Sequence, residues 1–123
     1  MDSIYKRMTE PEREVADYFK RIGLRWKFEF PVFVFDEHER PRIFIPDFYI
    51  QKLGVFIEVC GSEKFDYNRR KKVYEENGVS VVFLHYYKHP TKWKSFLAGR
   101  ITEIEQQRQT EACKLTVGFS SSH

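Results

Sequence analysis

Two apolar runs lie only four residues apart in this chain: RIFIPDFYI at 42–50 and VFIEVC at 55–60, joined by QKLG. Runs of this length, rich in β-branched and aromatic residues, fold back on each other as antiparallel strands when the connection is so short. A turn centred on Lys52 and Leu53, whether a two-residue or a four-residue loop, pairs 50 with 55, 49 with 56, 48 with 57 and 47 with 58. A three-residue or five-residue loop would shift that register by one. In the expected register Asp47 lies directly opposite Glu58, with Cβ atoms roughly 4.5–5.5 Å apart, where like charges repel.

Side chains alternate along a strand, so Glu58 shares its side with Phe56 and Cys60, and Asp47 shares its side with Ile45 and Tyr49. Phe44, Phe48, Val55, Ile57 and Val59 fall on the other side. Both faces are apolar and both call for cover. Two carboxylates interrupting such a surface are costly without a compensating cation. A surface lysine or arginine could pair with one acid. A divalent cation compensates both at once, and magnesium favours one or two carboxylates together with waters and phosphate oxygens. The main-chain carbonyl of Val59 or of Cys60 is within reach as a further ligand.

The rest of the chain supplies cover. TEPEREVADYFKRI, 9–22, reads as a helix with Thr9 as N-cap, Pro11 in the first turn and Glu12 completing a capping box. Val15, Phe19 and Ile22 recur at helical spacing, and Gly23 ends the run. RWKFEFPVFVF, 25–35, reads as one strand with a bulge or edge position at Pro31, which makes three strands in an antiparallel meander. YNRRKKVYEEN, 67–77, is a helix capped by Asp66 and ended by Gly78, and VSVVFLHYY, 79–87, is a strand. The intervening helix makes a crossover, so the third and fourth strands are expected to be parallel. A last helix spans 91–108 with Trp93, Phe96, Leu97, Ile101 and Ile104 on one side, and a frayed tail is expected over 116–123.

A chain of 123 residues with twelve Phe, seven Tyr and two Trp suits a single domain over 1–123 with one core. Cys60 and Cys113 are far apart and lack CxxC spacing, which argues against a zinc site or a disulfide scaffold and fits a reducing, cytoplasmic setting. No signal-peptide pattern opens the chain, and no apolar run is long enough for a bilayer. The net charge of +3 is small, but Arg69, Arg70, Lys71 and Lys72 form a basic block and Lys88, Lys92 and Lys94 another. Such blocks are either solvated helix faces or phosphate-binding surfaces. Tyr67 and Tyr74 on the first of them either pack the helix onto the sheet or stack on bases. His38, His85, His89 and His123 show no ligand spacing, and the six glycines form no phosphate loop.

The segments IPDFYI, 45–50, and IEVCG, 57–61, resemble the PD-(D/E)XK nuclease superfamily, whose motif is Pro-Asp on one strand and Asp/Glu-X-Lys on the next. EREVADYF, 12–19, is similar to the preceding glutamate-bearing helix, and Tyr67 to Leu84 fit the common core, so the resemblance covers about 9–87. It implies an α/β (mixed α+β) fold of restriction-endonuclease-like type: an αβββαβ core with a mixed sheet of about four strands flanked by helices. It implies a magnesium-dependent endonuclease hydrolysing phosphodiester bonds in DNA, with manganese able to substitute and RNA an open alternative. Asp47 and Glu58 would be metal ligands, and Glu12 a third, directly or through water. Glu12 is equally the capping-box acid, and Glu14 competes from another stripe of the helix. Lys64, Arg69, Arg70, Lys71 and Lys72 would grip nucleic acid, and small members of the superfamily often act as homodimers.

Cys60 departs from the motif, for a thiol of pKa about 8.5 supplies no positive charge where the family has lysine. Lys64 or Lys71 could supply the cation, or the metal could work alone and slowly. Otherwise catalysis is lost, leaving a module that binds nucleic acid or a structural subunit. A nucleophilic Cys60 would need a base such as His85 beside it, which nothing in the sequence places there.

Overall fold

A reciprocal cap starts the first helix. Thr9 Oγ1 accepts from Glu12 N–H at 3.4 Å, and Glu12 Oε1 accepts from Thr9 N–H at 2.9 Å. In the computed structural model, which describes residues 3–62 and 65–121, a 3-10 turn (Ile4–Arg7) leads into α1 (Glu10–Arg21), β1 (Lys27–Phe28), β2 (Val32–Phe35), β3 (Pro41–Phe44), β4 (Phe48–Ile50), β5 (Val55–Val59), α2 (Tyr67–Glu76), β6 (Val81–Leu84) and α3 (Trp93–Ser121). The fold is mixed α+β. Four strands form a mixed sheet ordered β1-β4-β5-β6, in which only the β5–β6 pair is parallel. Helices α1 and α3 cover one face, where Val15, Phe19, Leu97 and Ile101 meet Phe48, Ile50, Val55 and Ile57. Phe19 packs edge-on against Phe48 at 5.4 Å. Helix α2 covers the other face through Val73 and Tyr74.

The hairpin turn has the expected register. Leu53 and Gly54 both donate N–H to the Ile50 carbonyl, and Gly54 takes φ +64°, a left-handed conformation that costs glycine nothing. The expected crossover through α2 is also present, with β6 parallel to β5.

The meander is not. The run 25–35 breaks after Phe28, where Glu29 turns left-handed (φ +55°) and Pro31 has no N–H for a ladder. The run 42–50 breaks at Ile45-Pro46-Asp47 for the same reason. The halves separate: β1 pairs with β4 inside the main sheet, while β2 and β3 form their own two-stranded sheet. Phe44, expected on the face of Phe48, therefore lies on the α2 side, edge-on to Tyr74 at 5.3 Å. The far side of the small sheet leaves Phe33, Phe35 and Ile43 exposed. Ile45 and Ile22, expected inside, are exposed as well; Ile22 lies beyond the last turn of α1 as its C-cap. The last helix begins at Trp93 and runs to Ser121, past both the expected end at 108 and the expected start of fraying at 116. The run of Glu, Gln, Arg, Ala, Lys and Leu there favours helix. Trp93, Leu97, Ile101 and Ile104 are buried as expected, but Phe96 is exposed.

Asn77 fastens the small sheet to α2. Its Oδ1 accepts from Phe35 N–H at 2.9 Å, and its Nδ2 donates to the Phe35 carbonyl and to the Val73 carbonyl, both at 2.8 Å. Asn77→Ala is expected to lower stability by about 1–2 kcal/mol in urea titrations. Amide exchange at Phe35 should rise in the same variant, and an unchanged Phe35 rate would show that the side chain fastens nothing.

Candidate functional site

Asp47 precedes β4 by one residue, and Glu58 is the fourth residue of β5. The observed pairs are 50–55, 49–56 and 48–57, and one more step of this register carries Asp47 to Glu58. Two bonds fix Asp47. Its carbonyl accepts from Glu29 N–H at 2.9 Å, and its Oδ2 accepts from Val59 N–H at 2.7 Å. In a strand the N–H and C=O of one residue point the same way, so the Val59 carbonyl faces the Asp47 side. The Cys60 carbonyl accepts from Tyr87 N–H at 3.4 Å, towards the chain beyond β6.

The two acids are compensated differently. Glu58 is only 6% exposed. Its Oε1 accepts from Arg70 Nη2 and from the Tyr74 hydroxyl, each at 3.1 Å. Arg70 also donates to the Tyr74 hydroxyl at 3.2 Å and lies over the Phe44 ring at 4.8 Å. Burial pushes the Glu58 carboxyl above the usual range, while Arg70 and Tyr74 hold it down. Asp47 has no ion-pair partner among the described residues. Burial raises its carboxyl most, the Val59 N–H opposes this, and the charges of Glu58 and Glu12 add to the rise, which reaches about 7.

Glu12 serves the cap and also joins the acid group, for it is buried and its charge is felt at Asp47. Glu14, its competitor, is bonded to the Tyr86 hydroxyl at the surface. Among the described residues no group of three or more His, Cys, Asp or Glu side chains is disposed to hold a metal ion. A divalent ion here would rest on two carboxylates, with the Val59 carbonyl, waters and phosphate oxygens completing its shell, which suits magnesium chemistry.

The basic block divides. Arg69 pairs with Glu37 at 3.0 Å, Arg70 turns inward to Glu58, and Lys71 and Lys72 are exposed. Lys71 lines a groove with Val81 and Phe83, and its charge is felt at His85. Lys64 lies outside the described residues. Among the described residues the cation bonded to the acid pair is Arg70, whose Nε is buried with no hydrogen-bond partner. The signal for it was present in the sequence: Arg70, Val73, Tyr74 and Asn77 recur at i, i+3, i+4 and i+7, one stripe of α2. Tyr67 and Tyr74 both pack onto the sheet, edge-on or tilted against Phe83 at 6.2 Å.

Cys60 is fully buried, its thiol 3.8 Å from the Glu58 carbonyl. Burial first, then the charges of Glu58 and Asp47, push that thiol up to about 12. One register step beyond Val59–Leu84 brings His85 beside Cys60, a placement that no residue pattern had indicated. Its ring is edge-on to Tyr67 and to Tyr87, each at 5.9 Å. Burial, then Lys88, His89 and Lys71, hold the His85 imidazole below its ordinary value. A thiol held so high is no nucleophile at neutral pH. Iodoacetamide at pH 8 is therefore expected to alkylate exposed Cys113 and spare Cys60 in the folded protein, and to label both in denaturant, as read by intact mass. Native double labelling would contradict this.

No helix among the described residues is long and apolar enough to cross a membrane. No family model, no curated protein and no solved structure matches this chain.

Proposed function

We propose that this chain is a metal-dependent endonuclease that hydrolyses phosphodiester bonds in DNA, with Asp47 and Glu58 as ligands of magnesium, for which manganese can substitute. The carrying observation is the acid pair: two buried or half-buried carboxylates, Asp47 just before β4 and Glu58 on β5, both held above the usual range, one of them without an ion-pair partner among the described residues. Strongly perturbed carboxylates of this kind favour a site over a structural ornament. A bound divalent ion would supply a water of lowered pKa and charge stabilisation at the phosphate. The Asp47 carboxylate, fixed through Val59 N–H, would hold that ion. Arg70 steadies Glu58 and would add positive charge beside the phosphate. Arg69 and Lys72 on the outer side of α2 meet the DNA backbone, which gives salt-sensitive, sequence-tolerant binding.

The test is cleavage of plasmid and branched DNA under magnesium or manganese titration, with Asp47→Ala alongside. Metal-dependent cleavage that Asp47→Ala abolishes while binding survives supports the reading. Buried, protonated Cys60 favours a second one, a nuclease-like module that binds nucleic acid without cutting it. DNA binding with no cleavage under either metal would select it, and neither activity would leave a structural subunit.

A further inference from the structure

The main sheet has an open edge at β6. Phe56 N–H donates to the Ser80 carbonyl and Cys60 N–H to the Leu84 carbonyl, so the main chain of Val82 and Leu84 serves β5. Alternation then turns the N–H and C=O of Val81 and Phe83 away from the sheet. β6 is last in the strand order, and among the described residues it pairs with no strand but β5. Along that edge runs a groove of about 390 Å³, walled by α2 and α3. Its rim carries Lys71 from α2 and Arg100 and Arg108 from α3, against one acid, Glu75.

We infer that this groove takes an extended acidic segment of a partner protein, added to β6 as a fifth strand. The edge offers donors and acceptors alternately, and only another peptide main chain answers both. A phosphate backbone brings acceptors alone and would set them against the carbonyls of Val81 and Phe83. The side chains select acidity, since three cations face one carboxylate. Glu103 and Glu111 share Arg100 and Arg108 from the exposed side of α3, at 2.5 and 3.6 Å. Exposed pairs of this kind are weak enough for an incoming carboxylate to displace. A second copy of this chain fits poorly, because two-fold pairing of β6 with itself would bring both sets of cations together. The groove is separate from the acid pair, so this inference stands or falls apart from the nuclease reading.

The probe is a fluorescent eight-residue peptide of alternating Glu and Val, titrated into the full chain, with amide exchange followed by NMR. Saturable binding is expected, with exchange slowed at Val81 and Phe83. Arg100→Glu should weaken it at least tenfold and Arg100→Gln less, and N-methylation of alternate peptide bonds should abolish it. The inference is overturned by absent binding, by equal binding of a Lys-Val peptide, or by indifference to N-methylation. It is equally overturned if an oligothymidylate displaces the peptide from Val81 and Phe83. A dimeric chain with those amides already protected would assign the edge to a second copy instead.

Discussion

Arg70→Ala is expected to lower stability by about 3 kcal/mol or more, the largest loss for any charged residue at this site. The substitution leaves the buried Glu58 carboxylate with the Tyr74 hydroxyl as its one remaining side-chain donor among the described residues, and it uncovers the Phe44 ring. The accompanying double-mutant cycle separates the two effects. If stranded charge dominates, Glu58→Gln should recover much of the loss, with a coupling of about 1–3 kcal/mol in urea midpoints. If Arg70→Ala costs the same with Gln at 58, the guanidinium acts by packing over Phe44 and the charge argument fails.

Asp47→Asn is expected to have opposite effects on stability and on cleavage. The folded Asp47 carboxyl titrates near 7, above its ordinary 3.8. Between those values the folded state holds the proton that the unfolded state releases, so this group lowers stability as pH rises through that window. Below the window the acid is neutral in both states and costs nothing; above it the full penalty is present. Asparagine keeps an oxygen for Val59 N–H and removes the charge. The metal-free variant should therefore melt above the parent at pH 8 and close to it at pH 4, with chelator present in both. On the proposed nuclease reading, metal-dependent cleavage should fall about 100-fold or more, since one of the two proposed anionic ligands is gone. A variant less stable than the parent at pH 8 would show that the Asp47 charge is compensated by something other than a metal.

Much of this was legible in the sequence because it is local. The capping box of Thr9 and Glu12, the four-residue turn from Gln51 to Gly54, the Asp66 cap and the crossover through α2 all depend on spacings of a few residues. The turn fixed the register, and the register carried Asp47 to Glu58. What could not be read was where the interrupted runs would go. Pro31 was read as a bulge or edge position while 42–50 was read as one strand across Pro46; a proline only forbids a ladder bond, and it does not say which sheet receives the chain beyond it.

The chain's own residues determined that two acids would meet inside an apolar sheet and that a cysteine would stand two residues after the second of them. Tertiary packing alone decided what meets them. α2 settles on the sheet through Val73 and Tyr74, and that seating swings Arg70 onto Glu58 while Arg69 goes to Glu37 and Lys71 to the β6 groove. Four consecutive cations have nearly the same propensities, so only the angle at which their helix docks can tell them apart.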